Sequence, residues 1–211
     1  MTLSPSLVAS SPARALILGS TSRYRRELLE RLRLPFTVVD PDVDETPQAG
    51  ENPHDLALRL ARAKAHAVAR LFPQAVVIGS DQVADLDGVP LGKPGNHDNA
   101  TAQLRRMRGR TVVFQTAVAV VCHASAFEQT RLAAVRVQFR DLGDDDIENY
   151  LRTEQPYDCA GSAKSEGLGI GLIASIDSDD PTALIGLPLI RTCELLRAAG
   201  ISLFKPQAVK A

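Results

Sequence analysis

Five short polar clusters each stand just past an apolar run: Ser20-Thr21-Ser22-Arg23-Tyr24-Arg25-Arg26, Asp44-Glu45, Ser80-Asp81-Gln82, Gly92-Lys93-Pro94 and Lys164-Ser165-Glu166-Gly167. Hydroxyls, guanidiniums and ammoniums of this kind suit a polyphosphate. The carboxylates suit a metal or an activated water, and an aromatic ring with an amide and an acid suits a base. The combination points to nucleotide hydrolysis.

Each cluster has its own chemistry. A hydroxyl-rich turn at a helix start presents unpaired backbone N–H groups and a positive dipole end, which is an anion site before any side chain acts. Arg25 and Arg26 in that first turn oppose the dipole at a cost of a few tenths to about 1 kcal/mol unless an anion sits between them. Taken alone, the segment reads equally well as Ser22 capping a helix with solvated arginines. It lacks the glycines of a Walker loop. Lys93, between Gly92 and Pro94, could be a rigidly aimed phosphate charge or a surface lysine in a turn. Lys64 could reach a phosphate or run its stem along an apolar face. Asp81 follows the run 75–79 at a place where strand ends carry functional groups in open α/β sheets, or it caps the next turn. Asp44-Glu45 offers hard oxygen donors suited to Mg²⁺ or Mn²⁺ rather than zinc. Gly167-Leu168-Gly169-Ile170-Gly171 has the wrong spacing for a dinucleotide turn and no helical pattern behind it.

The elements that must hold these groups are legible from periodicity. Apolar runs at 15–19 and 75–79 predict buried strands, and 36–39 a further one. Residues 22–33, with Leu28, Leu29 and Leu32 on one face, predict a helix stopped by Pro35. A longer helix opens at Pro53 and ends before Pro73, with Leu56, Leu60, Ala63, Ala67 and Leu71 as its stripe and Lys64 one position beyond it. A hairpin is expected over 83–91 around Asp87-Gly88, and a helix over 97–108. Strands at 111–122 and 133–140 should pair antiparallel, followed by a helix capped by Asp144. A last strand over 168–173 and helical turns over 181–199, interrupted near Gly186-Leu187-Pro188, complete the order. The fold class is α/β or α+β, with a twisted mixed sheet flanked by helices around a central cleft.

The chain of 211 residues is 45% hydrophobic and 23% charged, enough for one large or two-lobed domain, expected over 14–203. Residues 1–13 read as a disordered Ser/Pro-rich extension and 204–211 as a tail. A formal net charge of -1 with interspersed signs argues against a stable nucleic-acid complex, leaving only a local basic patch at Arg105, Arg106, Arg108 and Arg110. No apolar run approaches the roughly 18 residues that span a bilayer, so no membrane partner is expected. Cys122, Cys159 and Cys193 are scattered, without C-x-x-C spacing, which fits a cytoplasmic protein better than a disulfide or zinc framework. The four histidines show no paired ligand spacing.

In order and interval, the five clusters closely resemble the Maf family of nucleoside triphosphate pyrophosphatases, over roughly residues 15–200. The resemblance implies a two-lobed Maf/ITPase-like fold, divalent-metal dependence, cleavage between the α- and β-phosphates, and a homodimer. By position, Asp81 resembles the acceptor that activates water, though it could also ligate the metal. Ser20, Arg25, Arg26, Lys64 and Lys93 resemble the phosphate cradle, and Glu45 the metal-associated carboxylate. Tyr24, Gln82 and Glu166 resemble the residues that read the base. The pyrimidine-specific branch typically has Arg, Thr and Gln there. An aromatic ring and an acid suit the positively charged base of 7-methyl-GTP, through a cation–π contribution of about 0.5 to 2 kcal/mol and acceptance from ring N–H and amino groups. That branch often carries Trp where this chain has Tyr24. The alternatives are a dTTP/UTP pyrophosphatase and a non-catalytic nucleotide-binding regulator of cell division.

Overall fold

A computed structural model describes residues 14–204, so the expected extension over 1–13 and nearly all of the expected tail lie outside the described residues. The described residues build one seven-stranded mixed sheet. Strands β1 (Leu16–Gly19), β2 (Thr37–Val39) and β3 (Val76–Leu86) run parallel in the order β2-β1-β3. The short β4 (Val89–Leu91) returns along β3 as a hairpin around Asp87-Gly88. Antiparallel strands β5 (Thr111–Cys122), β6 (Phe127–Phe139) and β7 (Ile173–Asp177) extend the sheet on the other side of β3. The helices are α1 (Arg23–Glu30), α2 (Pro53–Leu71), α3 (His97–Met107), α4 (Asp144–Glu154) and α5 (Leu189–Ala198).

Alternation along the strands sends side chains to opposite faces. Val77, Ala117, Ala119 and Val121 meet α2 on one face, while Val76, Ile78, Val118 and Val120 meet α1 and α5 on the other. Farther along that second face, Leu86, Phe114, Val135 and Val137 pack with Leu104 and Met107 of α3 and with Ile147 and Leu151 of α4. Each fully buried Leu or Ile contributes about 1.5–3 kcal/mol.

Helix α2 starts where the sequence says it should, since Asn52 caps it by accepting from the Asp55 N–H at 2.9 Å and Pro53 occupies the first turn. Its buried face differs from the expected stripe. Ala57, Ala61, Ala65 and Ala69 lie fully buried beside Leu56, Leu60 and Val68, whereas Ala63 and Ala67 are half-buried and Leu71 is exposed. The reason is a close helix-to-sheet approach. Gly19 and Gly79 are register partners on β1 and β3, and a Cβ at Gly79 would lie 2.3 Å from the Ala61 carbonyl oxygen and 2.4 Å from the Ala65 nitrogen. Small residues on both sides select that face, and Lys64 falls within it rather than beyond it.

Two further expectations are corrected. The run 75–79 does not end a strand: β3 continues through Asp81 to Leu86 because β5 pairs with it from Val77 to Asp85. The segment 168–173 is not a strand either. Leu168–Leu172 forms a 3-10 turn, and β7 begins only at Ile173. Gly167, Gly169 and Gly171 deprive that run of the branched side chains a strand needs, and Gly169 is pressed against the Lys164 backbone. Among the described residues, no helix is long and apolar enough to cross a membrane.

Candidate active site

The site originates in a gap in the sheet. Strand β1 accompanies β3 only to Gly79, and β4 joins it only from Ala84. Residues 80–83 therefore have a strand neighbour on the β5 side alone. A cleft of about 800 Å³ opens against that edge. Its walls come from the β1–α1 turn, the loop that carries Glu45, helix α2, Gly92-Lys93, and the segments containing Asp158, Glu166 and Gly186.

Lys64 is the electrostatic centre of one end. Its residue is only 4% exposed, and its ammonium donates to Asp81 Oδ1 at 2.6 Å and pairs with Glu45 Oε1 at 2.5 Å. Arg25 places a guanidinium 4.0 Å from the same Asp81 oxygen. Arg25 is itself held by donating through Nε to the Gly186 carbonyl at 2.9 Å and through Nη1 to Ser20 Oγ at 3.4 Å. Burial pushes the Glu45 carboxyl up, but the Lys64 hydrogen bond and charge, aided by Lys93 and Arg25, hold it below the ordinary range.

Ser22 caps α1 by accepting from the Arg25 N–H, and the Ser22 N–H in turn bonds Ser20 Oγ. Ser20 is buried. The hydroxyl turn thus opens into the cleft at a helix N-terminus, with no acid in the first turn to compete with an anion. Arg26 is not brought there: successive residues on a helix point about 100° apart, and its Nε faces Glu30 at 3.7 Å in solvent.

A second group of side chains lines the other part of the cleft. The Tyr24 hydroxyl donates to Asp158 at 3.3 Å and accepts from Arg23 at 2.6 Å, while the Arg23 guanidinium lies 4.7 Å from the Tyr24 ring centroid. Burial raises the Tyr24 hydroxyl pKa, so the hydroxyl stays protonated. Cys159 beside it is pushed up to about 11, mainly by burial, with further upward contributions from the Asp158 and Glu166 charges, and is an inert thiol at neutral pH. Glu166 is exposed, lines the cleft, and makes no hydrogen bond among the described residues. Gln82 donates its amide hydrogens to Thr116 Oγ1 at 3.1 Å and to the Ala183 and Leu184 carbonyls at 2.8 and 3.0 Å, which leaves the amide oxygen as its remaining polar group.

The structure therefore brings together Ser20, Tyr24, Arg25, Glu45, Lys64, Asp81, Gln82, Lys93 and Glu166, and leaves Arg26 outside. Sequence reasoning missed Asp158 and the Gly186 carbonyl. Asp158 looks in sequence like any loop acid, and a backbone carbonyl carries no sequence signal.

Among the described residues, no three His, Cys, Asp or Glu side chains gather as a metal cage. Glu45 and Asp81 instead share one ammonium. Such a pair of carboxylates fits a small divalent ion that takes its remaining oxygens from phosphate and water.

The chain is similar to known proteins over most of its length. Residues 15–199 match the family described as Maf-like protein. The 7-methyl-GTP pyrophosphatase of Polaromonas sp. (strain JS666 / ATCC BAA-500) is 74% identical over 192 residues, covering 91% of this chain and 88% of the relative. Relatives of the same name from Albidiferax ferrireducens and Methylobacillus flagellatus are 69% and 59% identical, covering 89% and 88% of this chain and 94% and 97% of their own lengths. The solved Staphylococcus aureus Ham1 protein shows a partial likeness, with a TM-score of 0.45, 16% identity, and coverage of 61% of this chain and 73% of that one. With the five polar clusters in order and the family match spanning nearly all of the described residues, the chain belongs to the Maf family.

Proposed function

We propose that this chain hydrolyses 7-methyl-GTP to 7-methyl-GMP and diphosphate, and so keeps a modified nucleotide out of nucleic acid. The observation that carries the reading is the division of the cleft. Lys64, Arg25 and Lys93 gather cations around Asp81 and Glu45, while Tyr24, Asp158 and Glu166 offer an aromatic ring and two acids. A triphosphate with a cationic base matches both halves; relatives at 59% to 74% identity bear the corresponding name.

In this mechanism the phosphate chain competes with Glu45 and Asp81 for Lys64, and Arg25, Lys93 and the Ser20 turn take the remaining phosphate charge. Asp81, relieved of its ammonium, accepts a proton from water. The hydroxide adds to phosphorus, the bond to the oxygen bridging the α- and β-phosphates breaks, and diphosphate leaves. Glu45 would hold a divalent cation, Mg²⁺ or Mn²⁺, which when bound would neutralise phosphate charge, leaving Asp81 free to act as the base. Tyr24 stacks on the base, while Glu166 and the Gln82 amide oxygen accept from guanine N–H groups. Arg26 has no part in the cradle unless its side chain leaves Glu30. A two-lobed single domain over 14–203, a homodimer and a cytoplasmic location belong to the same reading, and light scattering tests the dimer.

Asp81→Asn tests the reaction. The substitution should slow diphosphate release by roughly 10²- to 10⁴-fold with nucleotide binding largely kept. Unchanged turnover would remove Asp81 from proton transfer, and tight binding with no turnover in the wild-type protein would favour a nucleotide-binding regulator.

A further inference from the structure

Glu166 gives this part of the cleft an unpaired acid, yet it sits in an irregular segment between a 3-10 turn at Ala160–Ser162 and another at Leu168–Leu172. Such a segment must be fixed from outside if one carboxylate is to read a base. The C-terminal half of α4 supplies the fixture through Tyr150 and Glu154, which are four residues apart and so share a helix face. The Tyr150 hydroxyl donates to the Ser162 carbonyl at 3.2 Å and accepts from the Lys164 N–H at 3.1 Å. Glu154 takes the rest of the turn: Oε1 accepts from Lys164 Nζ at 2.5 Å, and Oε2 accepts from the Leu168 N–H at 2.8 Å.

The turn is wrapped around that carboxylate. Its ends are tied by the Gly167 N–H donating to the Lys164 carbonyl at 3.1 Å. A Cβ at Gly167 would lie 2.7 Å from Glu154 Oε2, and one at Gly169 would lie 2.5 Å from the Lys164 carbonyl oxygen. Gly169 is therefore required by backbone contact, whereas a Cβ at Gly167 would press on the tip of the Glu154 side chain and disturb its two bonds. Glu154 and Lys164 side chains are 13% and 24% exposed, so the pair is well shielded from competing water. The Lys164 hydrogen bond, then the Leu168 one, hold Glu154 ionised below its ordinary range, and Glu154 raises Lys164 in return. Neither residue lines the cleft.

We infer that Glu154, clamped to Lys164 and to the Leu168 backbone, is a positioning residue that aims Glu166 into the cleft and thereby sets base selectivity. The inference rests on the proposed recognition of a cationic base. In the Lys164-Ser165-Glu166-Gly167 cluster only Glu166 meets substrate; Lys164 and Gly167 shape the turn.

The test compares kcat and KM for 7-methyl-GTP and for UTP in the wild-type protein, Glu154→Gln, Lys164→Met, Glu166→Gln and the double variant Glu154→Gln/Glu166→Gln. Misplacing one recognition group should lower kcat/KM for 7-methyl-GTP about tenfold in Glu154→Gln, chiefly through KM, with UTP changed less than about twofold. Lys164→Met leaves Glu154 its Leu168 bond, so it should give a smaller loss of the same selective kind and serves where Glu154→Gln folds poorly. In the Glu166→Gln background, the Glu154 change should add almost nothing, because the group it aims is already altered.

A merely structural role would depress both substrates equally and add in full to Glu166→Gln; either result overturns the inference. A selective loss in Glu166→Gln that is absent from both Glu154→Gln and Lys164→Met overturns the inference alone. A wild-type protein without preference for 7-methyl-GTP, or a Glu166→Gln variant with unchanged selectivity, overturns the base-recognition reading and this inference with it.

Discussion

Replacing Lys64 by Met keeps the length and apolar stem of the side chain but removes the charge at the centre of the site. The ammonium lies 2.6 Å from Asp81 and 2.5 Å from Glu45. Without it the Asp81 side chain, only 9% exposed, loses its nearest cation, and the Arg25 guanidinium at 4.0 Å is too distant to replace it fully. Removing one partner of a buried pair costs about 3 to 5 kcal/mol, and with Arg25 nearby we place the loss at the lower end. Glu45 is half exposed and adds less than about 1 kcal/mol. For a chain of this size, a loss of about 3 kcal/mol lowers the melting midpoint by roughly 6–12 °C.

Thermal unfolding of wild type, Lys64→Met, Asp81→Asn and the double variant at neutral pH measures the pair directly. Because Asn carries no charge to strand, adding Asp81→Asn to Lys64→Met should recover about half of the loss or more. The pH profile gives an independent sign. Glu45 is held below its ordinary value of 4.5, so its stabilisation is fully present above that value and is lost as pH falls through the lower folded value. In Lys64→Met this acid-side slope should flatten. A Lys64→Met midpoint within about 1 °C of wild type, or double-variant losses that simply add, would refute a charge-based role.

Other outcomes follow from single contacts. Arg25→Ala should raise KM about tenfold or more while Arg26→Ala changes it less than about twofold, since only Arg25 faces the cleft; equal effects in steady-state kinetics would contradict the placement. Arg59 donates twice to Glu51 and once to the Thr46 carbonyl, tethering the loop that carries Glu45, and with the Gln48 N–H it holds the Glu51 carboxyl at about 2. The Glu51 contribution is present above its ordinary 4.5 and lost as pH falls toward about 2, so melting curves of Arg59→Met should flatten across that window. Parallel wild-type and variant profiles would show that the tether is not electrostatic. Gly79→Ala should cost about 3 kcal/mol in denaturant unfolding because its Cβ meets α2 backbone. Gly92→Ala, with open space and an ordinary φ, should stay within about 1 kcal/mol. Similar costs at the two sites would argue against the close helix-to-sheet contact.

The sequence carried the pieces of the site better than their scaffolding. The hydroxyl turn, Asp81 and Lys93 were legible as candidates from residue type, each with a plain structural alternative, and it is the cleft that gathers them. Burial of Lys64 could not: the period of α2 admits two adjacent faces, and the close approach at Gly19 and Gly79 decides between them only once β1 and β3 are side by side. Asp81 looked like a strand end because β1 and the apolar run stop together, yet the long pairing with β5 carries β3 onward and leaves the site at a gap. The spacing of Gly167, Gly169 and Gly171 excluded a dinucleotide turn but could not say what Gly169 is for, since its contact is with the Lys164 backbone. Arg26 differs from Arg25 only by its turn about the helix, which the cluster Arg25-Arg26 does not encode.

A cleft built for a cationic base should show it in kcat/KM for diphosphate release from 7-methyl-GTP, GTP, UTP and dTTP with Mg²⁺ or Mn²⁺. 7-methyl-GTP should come first, ahead of GTP by the roughly 2- to 30-fold that a cation–π contact of about 0.5 to 2 kcal/mol provides. A preference for UTP or dTTP, or equal use of GTP and 7-methyl-GTP, would contradict it.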